Sequence, residues 1–320
     1  MTELQQLINE LCPNGVKFVA LEECCKILDN KRKPVTKAAR QAGEYPYYGA
    51  NGIQDYVSDY IFDGIFVLVG EDGSVVTPSG NPVVNWATGK IWVNNHAHII
   101  EEKDGVLLRY LYHYLQTVNV SALIHGNIPK LTGGDFRAIK VPVPPLPVQS
   151  EIVRILDNFT ELTAELTAEL TARKQQYAHY RDTLLKLDNN VPSYTLKDIC
   201  LSIADGDHMP PPKADSGVPF ITISNITETR QIDFSNVMYV PREYYDKLAD
   251  KRKAKRDDIL YTVVGSFGIP VHISSKTEFV FQRHIAILRP NQQMIVPRYM
   301  YHIMQSTEFY IILLVWGCWR

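Results

Sequence analysis

The chain has 320 residues, of which 45% are hydrophobic and 21% charged, and its formal net charge is −2. This length predicts about two domains, and the composition is that of chains that bury a folded core, which excludes a disordered protein. The nearly neutral charge excludes binding to a polyanion through the overall charge of the molecule. Such binding would depend on Lys and Arg gathered locally on one face.

Cysteine usage and hydropathy exclude several other classes. Five cysteines without a Cys-x-x-Cys pair predict neither a disulfide framework nor a zinc site, and we expect no metal. The N-terminus lacks the basic start and apolar stretch of a secretory signal. The longest apolar run near the C-terminus, residues 311–319, is far shorter than the roughly 20 residues of a membrane span. These features predict a soluble cytoplasmic protein without membrane contact.

The first half of the chain contains a segment that the second half repeats. Residues 109–117, RYLYHYLQT, return as residues 298–306, RYMYHIMQS. Shorter matches follow the same order in both halves: residues 43–47 with 217–220, 63–73 with 258–268, and 95–99 with 283–287. A repeated unit of about 100 residues predicts a tandem pair of domains. The repeated His113 and His302 lie among apolar residues at helical spacing, which favours a packing role over chemistry.

A long helix is predicted between the two copies. The Pro-rich residues 141–147 must be extended, and about 40 residues of helix-forming sequence follow before Pro192. Such a helix is about 60 Å long. Its apolar residues recur at spacings of three and four and form one stripe. The stripe includes Ile152, Leu156, Phe159, Leu162, Leu166, Leu170, Tyr177 and Leu184.

The centre of this helix is itself a short repeat. Thr-Ala-Glu-Leu occurs twice in tandem at residues 163–170. One copy more or fewer would change the length by about 6 Å and rotate the residues beyond it by about 40°. A helix of this length cannot bury its stripe against its own small domain, so the pattern predicts a second long helix alongside it as a coiled-coil partner.

These sequences resemble the DNA-specificity subunits of type I restriction-modification systems. The resemblance rests on residues 126–131, on residues 141–157, on the Thr-Ala-Glu-Leu copies, and on residues 205–208 with 217–226. It covers about residues 16–308. It implies an α/β (α+β) fold in which two repeated target recognition domains are joined by the long helix. The expected domains are residues 1–147, the spacer helix at residues 148–190, and an incomplete second domain at residues 191–320.

The resemblance also implies partners and cofactors. Each domain is expected to read one part of a bipartite double-stranded DNA target, and the long helix to dock the modification (methyltransferase) subunits. Those subunits use S-adenosylmethionine to methylate adenine, and ATP and Mg are used by partner subunits that include the restriction subunit. This chain is expected to bind no cofactor and to have no catalytic activity of its own.

The second copy is shorter than the first. It stops 14 residues after Ser306, whereas the first continues through the Pro-rich stretch and the long helix. We expect a truncated product, with a natural short ending as the alternative. In a truncated product the exposed stripe would be covered by a second copy of the chain or by another fragment of a specificity subunit.

The candidate DNA contacts are side chains that can read bases or hold phosphates from loops and helix faces. In the first domain they are Lys31, Arg32, Lys33, Tyr47, Tyr48, Asn51, Ser74 and His96, with Glu71 and Asp72 in the same loop as Ser74. In the second domain they are Thr222, Ser224, Asn225, Ser266, Phe267, Arg283 and His284. Two basic runs, residues 31–33 with Lys37 and Arg40 and residues 251–253 with Lys255 and Arg256, could hold phosphates. The alternative stays open that both runs are solvated turns and that the Gly-rich loops are tight turns between strands.

Two other functions compete with this interpretation. A stand-alone DNA methyltransferase or nuclease would need a nucleotide-binding or catalytic motif, and the sequence contains no Gly-x-Gly-x-x-Gly, no P-loop and no Asn-Pro-Pro-Tyr tetrapeptide. A scaffold that bridges proteins through the coiled coil would not bind duplex DNA. Binding with a steep salt dependence separates the two classes.

Overall fold

The structure, a computed structural model, describes residues 2–73, 75–186, 191–206 and 210–316. The chain divides into two compact units, Met1–Thr167 (unit 1) and Ala168–Arg320 (unit 2). The division falls inside the long helix, so each unit contains one of the repeated halves together with the part of the helix attached to it.

Unit 1 is built on a mixed sheet. Its strands are β1 (Phe18–Ala20), β2 (Lys26–Ile27), β3 (Ala42–Gly49), β4 (Gly52–Val57), β5 (Phe62–Gly70), β6 (Val84–Val93), β7 (Ala97–Glu101), β8 (Ile124–His125), β9 (Lys130–Leu131) and β10 (Lys140–Pro142). Its helices are α1 (Glu3–Leu11), α2 (Leu21–Cys24), α3 (Leu108–Leu115), α4 (Gly133–Ala138) and the first part of α5 (Leu146–Leu185). Within the described residues, six strands form a sheet in the order β2-β7-β5-β6-β3-β4. β5 pairs antiparallel with β6 and β7, and β3 pairs parallel with β6.

The centre of this sheet is buried on both faces. β5 is therefore almost continuously apolar instead of alternating between apolar and polar residues. Val67 and Val69 point into a cluster shared with Leu111 of α3, while Phe66 and Leu68 belong to a second cluster on the other face. The apolar spacing of the repeated segment thus places α3 against one face of the sheet.

Unit 2 contains two smaller sheets. Its strands are β11 (Cys200–Asp205), β12 (Val218–Ile221), β13 (Met238–Val240), β14 (Ile259–Thr262), β15 (Pro270–His272), β16 (Val280–Phe281) and β17 (Ile285–Pro290). Its helices, besides the rest of α5, are α6 (Leu196–Ile199), α7 (Arg242–Lys247), α8 (Pro297–Ile303) and α9 (Thr307–Trp316). The strands in the described ranges are ordered β11-β17-β14-β15 in one sheet and β13-β12-β16 in the other.

Strand pairing corrects part of the internal sequence match. Val69 lies opposite His98 in the β5–β7 pair, and Tyr261 lies opposite Ala286 in the β14–β17 pair. The repeat matches His98 with Ala286, so the residues opposite them, Val69 and Tyr261, correspond to each other. The next residues, Gly70 and Thr262, therefore correspond as well. The match of Gly70 with Gly265 is therefore wrong by three residues. Both alignments place a glycine of the first copy on Gly265, so the sequence alone cannot choose between them, whereas the backbone pairing can.

The predicted long helix is present as α5, which runs for 40 residues without a break. Residues 187–190 of the predicted spacer lie outside the described residues. The first turns of α5 are fixed to unit 1 by the buried Gln149. Its side-chain oxygen accepts from the Leu107 N–H at 2.9 Å, and its amide donates to the carbonyls of Pro144 at 2.7 Å and Gly105 at 3.0 Å.

The stripe of α5 is exposed beyond these first turns. Ile152 packs against the core of unit 1, but the stripe residues beyond it are between 38% exposed, at Leu156, and 75% exposed, at Leu184. The stripe residues between these two that are also exposed are Phe159, Leu162, Leu166, Leu170 and Tyr177. Searching the described residues finds no helix with both the length and the apolar content that crossing a membrane requires.

Candidate nucleic-acid interface

Three loops of unit 1 that are distant in sequence meet at one end of the sheet. The Glu71 N–H, in the loop after β5, donates to the His96 carbonyl at 2.8 Å, and the Leu131 N–H donates to the Glu71 carbonyl at 2.8 Å. The Gly73 N–H donates to the Pro129 carbonyl at 2.9 Å. Gly73 has φ of +84°, a value that favours glycine. The Gly-rich loop is therefore a turn that is also part of a shared loop surface.

A buried ion-pair network supports these loops from below. Arg32 lies 2.6 Å from Glu71 and 3.7 Å from Asp29. The buried His98 contacts Asp29 through Nδ1 at 2.7 Å and the Leu131 carbonyl through Nε2 at 3.1 Å. Both partners of His98 are acceptors, and each ring nitrogen contacts one of them. The network joins the segment after β2 to the loop after β5 and to β7.

The electrostatics of the network favour ionised carboxylates. Burial alone would raise the pKa of Asp29. The hydrogen bond with His98 and the charge of His98 oppose burial most, and with the Ile99 N–H bond and the charge of Arg32 they hold that pKa below its ordinary value. Burial would also raise the pKa of Glu71. The hydrogen bond from Arg32 and the nearby charge of His98 outweigh burial and bring this pKa below its ordinary value. The positive and negative groups therefore stabilise each other inside unit 1.

The same network contains metal-ligand residue types. Asp29, Glu71 and His98 offer ligand atoms that all lie within 4.8 Å of one another. The guanidinium of Arg32 already contacts both carboxylates, so it supplies the positive charge that a cation would bring. Asp29 and His98 are not among the candidates predicted from sequence. The signal available was the spacing of Asp29 and Arg32, since the contacts to Glu71 and His98 arise from tertiary packing.

The structure separates the candidate DNA contacts of unit 1 into exposed and internal residues. Lys31, Lys33 and Asn51 are exposed, with Asn51 in the turn between β3 and β4. His96 is 47% exposed and its Nδ1 contacts the carboxylate of Asp72. Ser74 lies outside the described residues.

Three other candidates in unit 1 have internal contacts. Arg32 belongs to the ion-pair network, with its side chain 13% exposed. Tyr47 is 1% exposed, and its hydroxyl hydrogen-bonds to the backbone of Val35. Tyr48 is part of the apolar cluster under the sheet. These side chains hold the fold together, while the role of the exposed candidates in DNA binding stays a prediction.

In unit 2, a set of candidates caps a short helical turn. The Thr222 hydroxyl donates to Asn225 Oδ1 at 2.8 Å and contacts the Ser224 hydroxyl at 2.7 Å. The Asn225 amide donates to the Asn236 carbonyl at 2.9 Å. Thr222 and Asn225 thus fix the backbone of this loop, and Ser224 remains exposed beside them.

The other candidates of unit 2 come from two loops that meet as their counterparts do in unit 1. The Val263 N–H donates to the His284 carbonyl at 2.9 Å, at the position of the Glu71–His96 bond. Ser266 and Arg283 are exposed. Phe267 packs its ring against Tyr261, with ring centroids 6.2 Å apart, so it contributes to the core. Arg283 and His284 line an apolar cavity of about 380 Å³.

The repeated histidines contact α5 within their own units. In unit 1, His113 lies 2.7 Å and Arg109 2.8 Å from the carboxylate of Asp157. In unit 2, His302 accepts or donates a hydrogen bond of 2.8 Å with the Tyr177 hydroxyl. The predicted role of these histidines is packing, and the structure shows its form: each histidine joins its repeated helix to α5 through a polar contact.

The geometry defines a class of protein: two repeated α/β units, each with a loop surface beside its sheet, that share a long helix with an exposed apolar stripe. Comparisons with known proteins agree with this class. A family described as type I restriction modification DNA specificity domain matches residues 13–173. A relative from Haemophilus influenzae, named as a type I restriction enzyme specificity subunit, is 36% identical over 92% of this chain and 77% of its own length.

Another relative is similar over a shorter part of the chain, and a solved structure is similar in fold. The Escherichia coli EcoR124I/EcoR124II specificity subunit is 45% identical over 31% of this chain and 26% of its own length. The crystal structure of a type I restriction-modification S subunit from M. genitalium matches 95% of this chain and 80% of its own with a TM-score of 0.61, at 15% identity. The chain belongs to the type I restriction-modification DNA specificity family.

The buried network predicts acid sensitivity of unit 1. Replacing Asp29 with Asn leaves His98 and Arg32 with one carboxylate fewer, which should lower the free energy of unfolding at pH 7 by about 3 kcal/mol. A carboxyl whose pKa is lower in the folded state stabilises above its unfolded pKa of about 4 and loses this contribution as the pH falls through the folded pKa. Wild-type stability should therefore fall below about pH 4, and that of Asp29→Asn should fall less.

Denaturant unfolding measures this effect through the fluorescence of Trp86 and Trp92, both in unit 1, in chains whose two other tryptophans, Trp316 and Trp319, are replaced with Phe. Asp63→Asn is the matched control, because Asp63 is an exposed acid of the same unit and should give wild-type behaviour. Equal stabilities of wild type and Asp29→Asn at pH 7 would show that the network does not stabilise unit 1.

Proposed function

We propose that the chain reads a DNA sequence in two parts, one with each unit, and that α5 determines the distance between the two readers. One observation carries the proposal: two units with the same repeated architecture share one uninterrupted helix of 40 residues. Such a helix changes length only by whole residues, about 1.5 Å each. A bipartite duplex target with a fixed gap is the ligand that this arrangement fits.

The exposed stripe of α5 is the proposed docking surface for the modification subunits. Its apolar residues follow one another along the helix and are 38% to 75% exposed between Leu156 and Leu184. A continuous apolar surface of this kind indicates a protein contact, and helices with a matching seam would cover it. The restriction subunit joins the assembly that forms on this surface.

Catalysis is assigned to these partners and not to this chain. The modification subunits bind S-adenosylmethionine and methylate adenine after swinging the base out of the duplex, and partner subunits use ATP and Mg. The absence of nucleotide-binding and methyltransferase motifs from the sequence supports this division of roles. A complex that acts on chromosomal DNA places the chain in the cytoplasm.

The exposed Lys31 and Lys33, in the segment between β2 and β3, provide a test of DNA binding. Replacing Lys31 and Lys33 together with Ala should weaken binding to all duplex sequences, because lysine holds phosphates and carries no base information. The slope of log affinity against log salt should become shallower by about 0.9 for each phosphate that is no longer neutralised. Asn51→Ala should instead change the preferred sequence if its amide reads a base edge.

The control for this experiment is Lys26→Ala. Lys26 is also exposed, but its amine lies 3.3 Å from Glu101, so its removal should leave the slope unchanged. Arg32→Ala should destabilise unit 1 instead of flattening the slope, since Arg32 is paired internally. Two results would contradict this part of the proposal. One is a wild-type chain that does not bind duplex DNA, as expected of a protein scaffold, and the other is equal salt slopes for wild type and the Lys31/Lys33 variant.

The Thr-Ala-Glu-Leu copies provide a test of the spacer. Deleting one copy, residues 167–170, shortens α5 by about 6 Å and rotates the rest of the helix by about 40°. Successive base pairs rise about 3.4 Å, so the gap in the methylated target should shrink by about one or two base pairs while both half-sites stay the same. Methylome mapping after co-expression with the modification subunit measures the change.

A variant of equal length controls for altered sequence. Thr167→Ala with Glu169→Gln leaves the length of α5 unchanged and should methylate the wild-type target. The purified chain, incubated with duplex DNA and S-adenosylmethionine without partners, should transfer no methyl group. An unchanged gap after the deletion would refute the spacer role, and methyl transfer by the chain alone would refute the division of roles.

A further inference from the structure

Gln54 of β4 is an exposed residue whose side chain is held in one place by three features of unit 1. β4 pairs with β3, and the turn between the two strands contains Asn51. Gln54 is not among the DNA contacts predicted from the sequence, because an exposed glutamine in a polar strand has no distinguishing local pattern. Its contacts come from residues on other segments.

The first feature is a β-bulge. Tyr47 lies opposite Asp55 and Tyr48 lies opposite Ile53, so the register of the β3–β4 pair shifts and Gln54 is left without a partner in β3. Bulges of this kind redirect side chains, and they are common next to active sites. The direction of the Gln54 side chain is therefore set by the backbone.

The second feature is the place that Gly49 leaves for the amide. Gly49 is buried and lies at the end of β3. A Cβ atom at this position would clash with the Nε2 and Cδ atoms of Gln54. The amide thus packs directly on the backbone of β3, and a glycine within a strand often marks such a close approach.

The third feature is the buried Asn94, which is 2% exposed. Its Oδ1 accepts from the His96 N–H at 2.8 Å, and its Nδ2 donates to Gln54 Oε1 at 3.4 Å. The Asn94 N–H donates to the Tyr48 carbonyl at 3.1 Å, so the backbone of Asn94 is fixed as well. Asn94 thereby joins Gln54 to the segment that carries His96 and meets the loop after β5.

These contacts decide which atom of Gln54 is left to bind a ligand. A backbone N–H can only donate, so Asn94 turns its oxygen to His96 and its amide nitrogen to Gln54. Gln54 then has to turn its oxygen to Asn94. The Gln54 Nε2 has no hydrogen-bond partner in the ranges that the structure describes, and it remains available as a donor.

We propose that Gln54 donates from Nε2 to the edge of one base in the half-site that unit 1 reads. The inference rests on the proposed DNA-reading function and adds a specificity-determining residue to it. In the major groove guanine presents acceptors at N7 and O6 and thymine presents one at O4, whereas cytosine presents a donor at N4. A fixed donor therefore favours guanine or thymine over cytosine at its position.

A base edge fits this arrangement better than a phosphate does. Contacts to phosphates gain affinity mainly from the charge of Lys and Arg, and the amide of Gln54 is neutral. A free glutamine can rotate its amide to meet either a donor or an acceptor, whereas an amide held by Asn94 meets only an acceptor. Fixing the amide adds discrimination between bases and adds no charge.

Replacing Gln54 in the full chain, co-expressed with the modification subunit, tests the proposal. Methylome mapping with wild type first defines the preferred base at each position of the target. Gln54→Met removes the donor and should reduce the preference at one position of the unit 1 half-site by about 2- to 12-fold, as expected for one hydrogen bond. Gln54→Glu presents an acceptor and should shift the preference at the same position towards cytosine. Competition binding with duplexes that differ at that position measures both changes.

Two further variants test whether the amide is held in place. Asn94→Asp keeps the acceptor for the His96 N–H but replaces the donor that faces Gln54 with an acceptor. The Gln54 amide should then turn over, and the preference should shift in the same direction as in Gln54→Glu. Gly49→Ala places a methyl group where the amide lies, so it should reduce the preference as Gln54→Met does, and it decides the same point if Asn94→Asp does not fold. A merely structural role of Asn94 or Gly49 would weaken binding to all sequences and leave the preferred base unchanged.

Gln41→Met is the matched control. Gln41 is also exposed, but it lies at the opposite end of the β3–β4 pair, where its carbonyl accepts from the Ser58 N–H at 2.9 Å. Its replacement should change neither the target preference nor the salt slope of duplex binding. Gln54→Met should leave the salt slope unchanged too, because no charge is removed.

Each remaining outcome decides between the proposals. An unchanged preference at every position in both Gln54 variants, with duplex binding intact, would overturn the base contact but not the proposed function. Equal weakening of all sequences in these variants would assign Gln54 to the DNA backbone and overturn the base contact as well. A wild-type chain that directs methylation to no specific sequence would refute the proposed function itself.

Discussion

The attachment of α5 to unit 1 is the constraint on which the rest of the structure depends. Gln149 is fully buried and all its amide contacts go to backbone groups, and leaving such a group without its partner costs about 1–3 kcal/mol. Two turns later, Arg109 and His113 share the carboxylate of Asp157. These contacts fix the direction in which α5 leaves the core of unit 1, and the helix continues from there with its apolar stripe exposed.

The two units keep the same backbone plan while their polar chemistry differs. In unit 1, Glu71 and His98 belong to the ion-pair network beneath the loops. At the equivalent positions of unit 2 stand Val263 and Ala286, both buried and apolar. The loops still meet through the same backbone hydrogen bond in each unit. A shared scaffold with different support under its loops is suited to reading two different half-sites.

Whether a Lys or Arg side chain leaves a net positive charge at the surface depends more on its ion pairs than on its place in a basic run of the sequence. In the basic run at residues 251–256, two cations are paired: Arg252 lies 3.5 Å from Asp205, and Lys255 lies 2.8 Å from Asp250. Arg32 in the other run is paired as well. With a net charge of −2, DNA contacts depend on cations that the fold leaves exposed and without an internal ion pair.

The sequence by itself determined the tandem units, the family and the long helix, because repeats and apolar periodicity are written in local order along the chain. The 40 residues of α5 could be predicted since they contain no Pro or Gly between the first turn and Leu185. Tertiary structure alone decided which candidates face solvent. The sequence suggests that Arg32 and Tyr47 are surface contacts, but Arg32 is paired with Glu71 at 2.6 Å and the Tyr47 hydroxyl accepts from the Val35 N–H at 3.0 Å, so both are internal. Strand register and ion pairing depend on contacts between distant segments, so the ion pairs of Asp29 and the burial of His98 could not be predicted from the sequence.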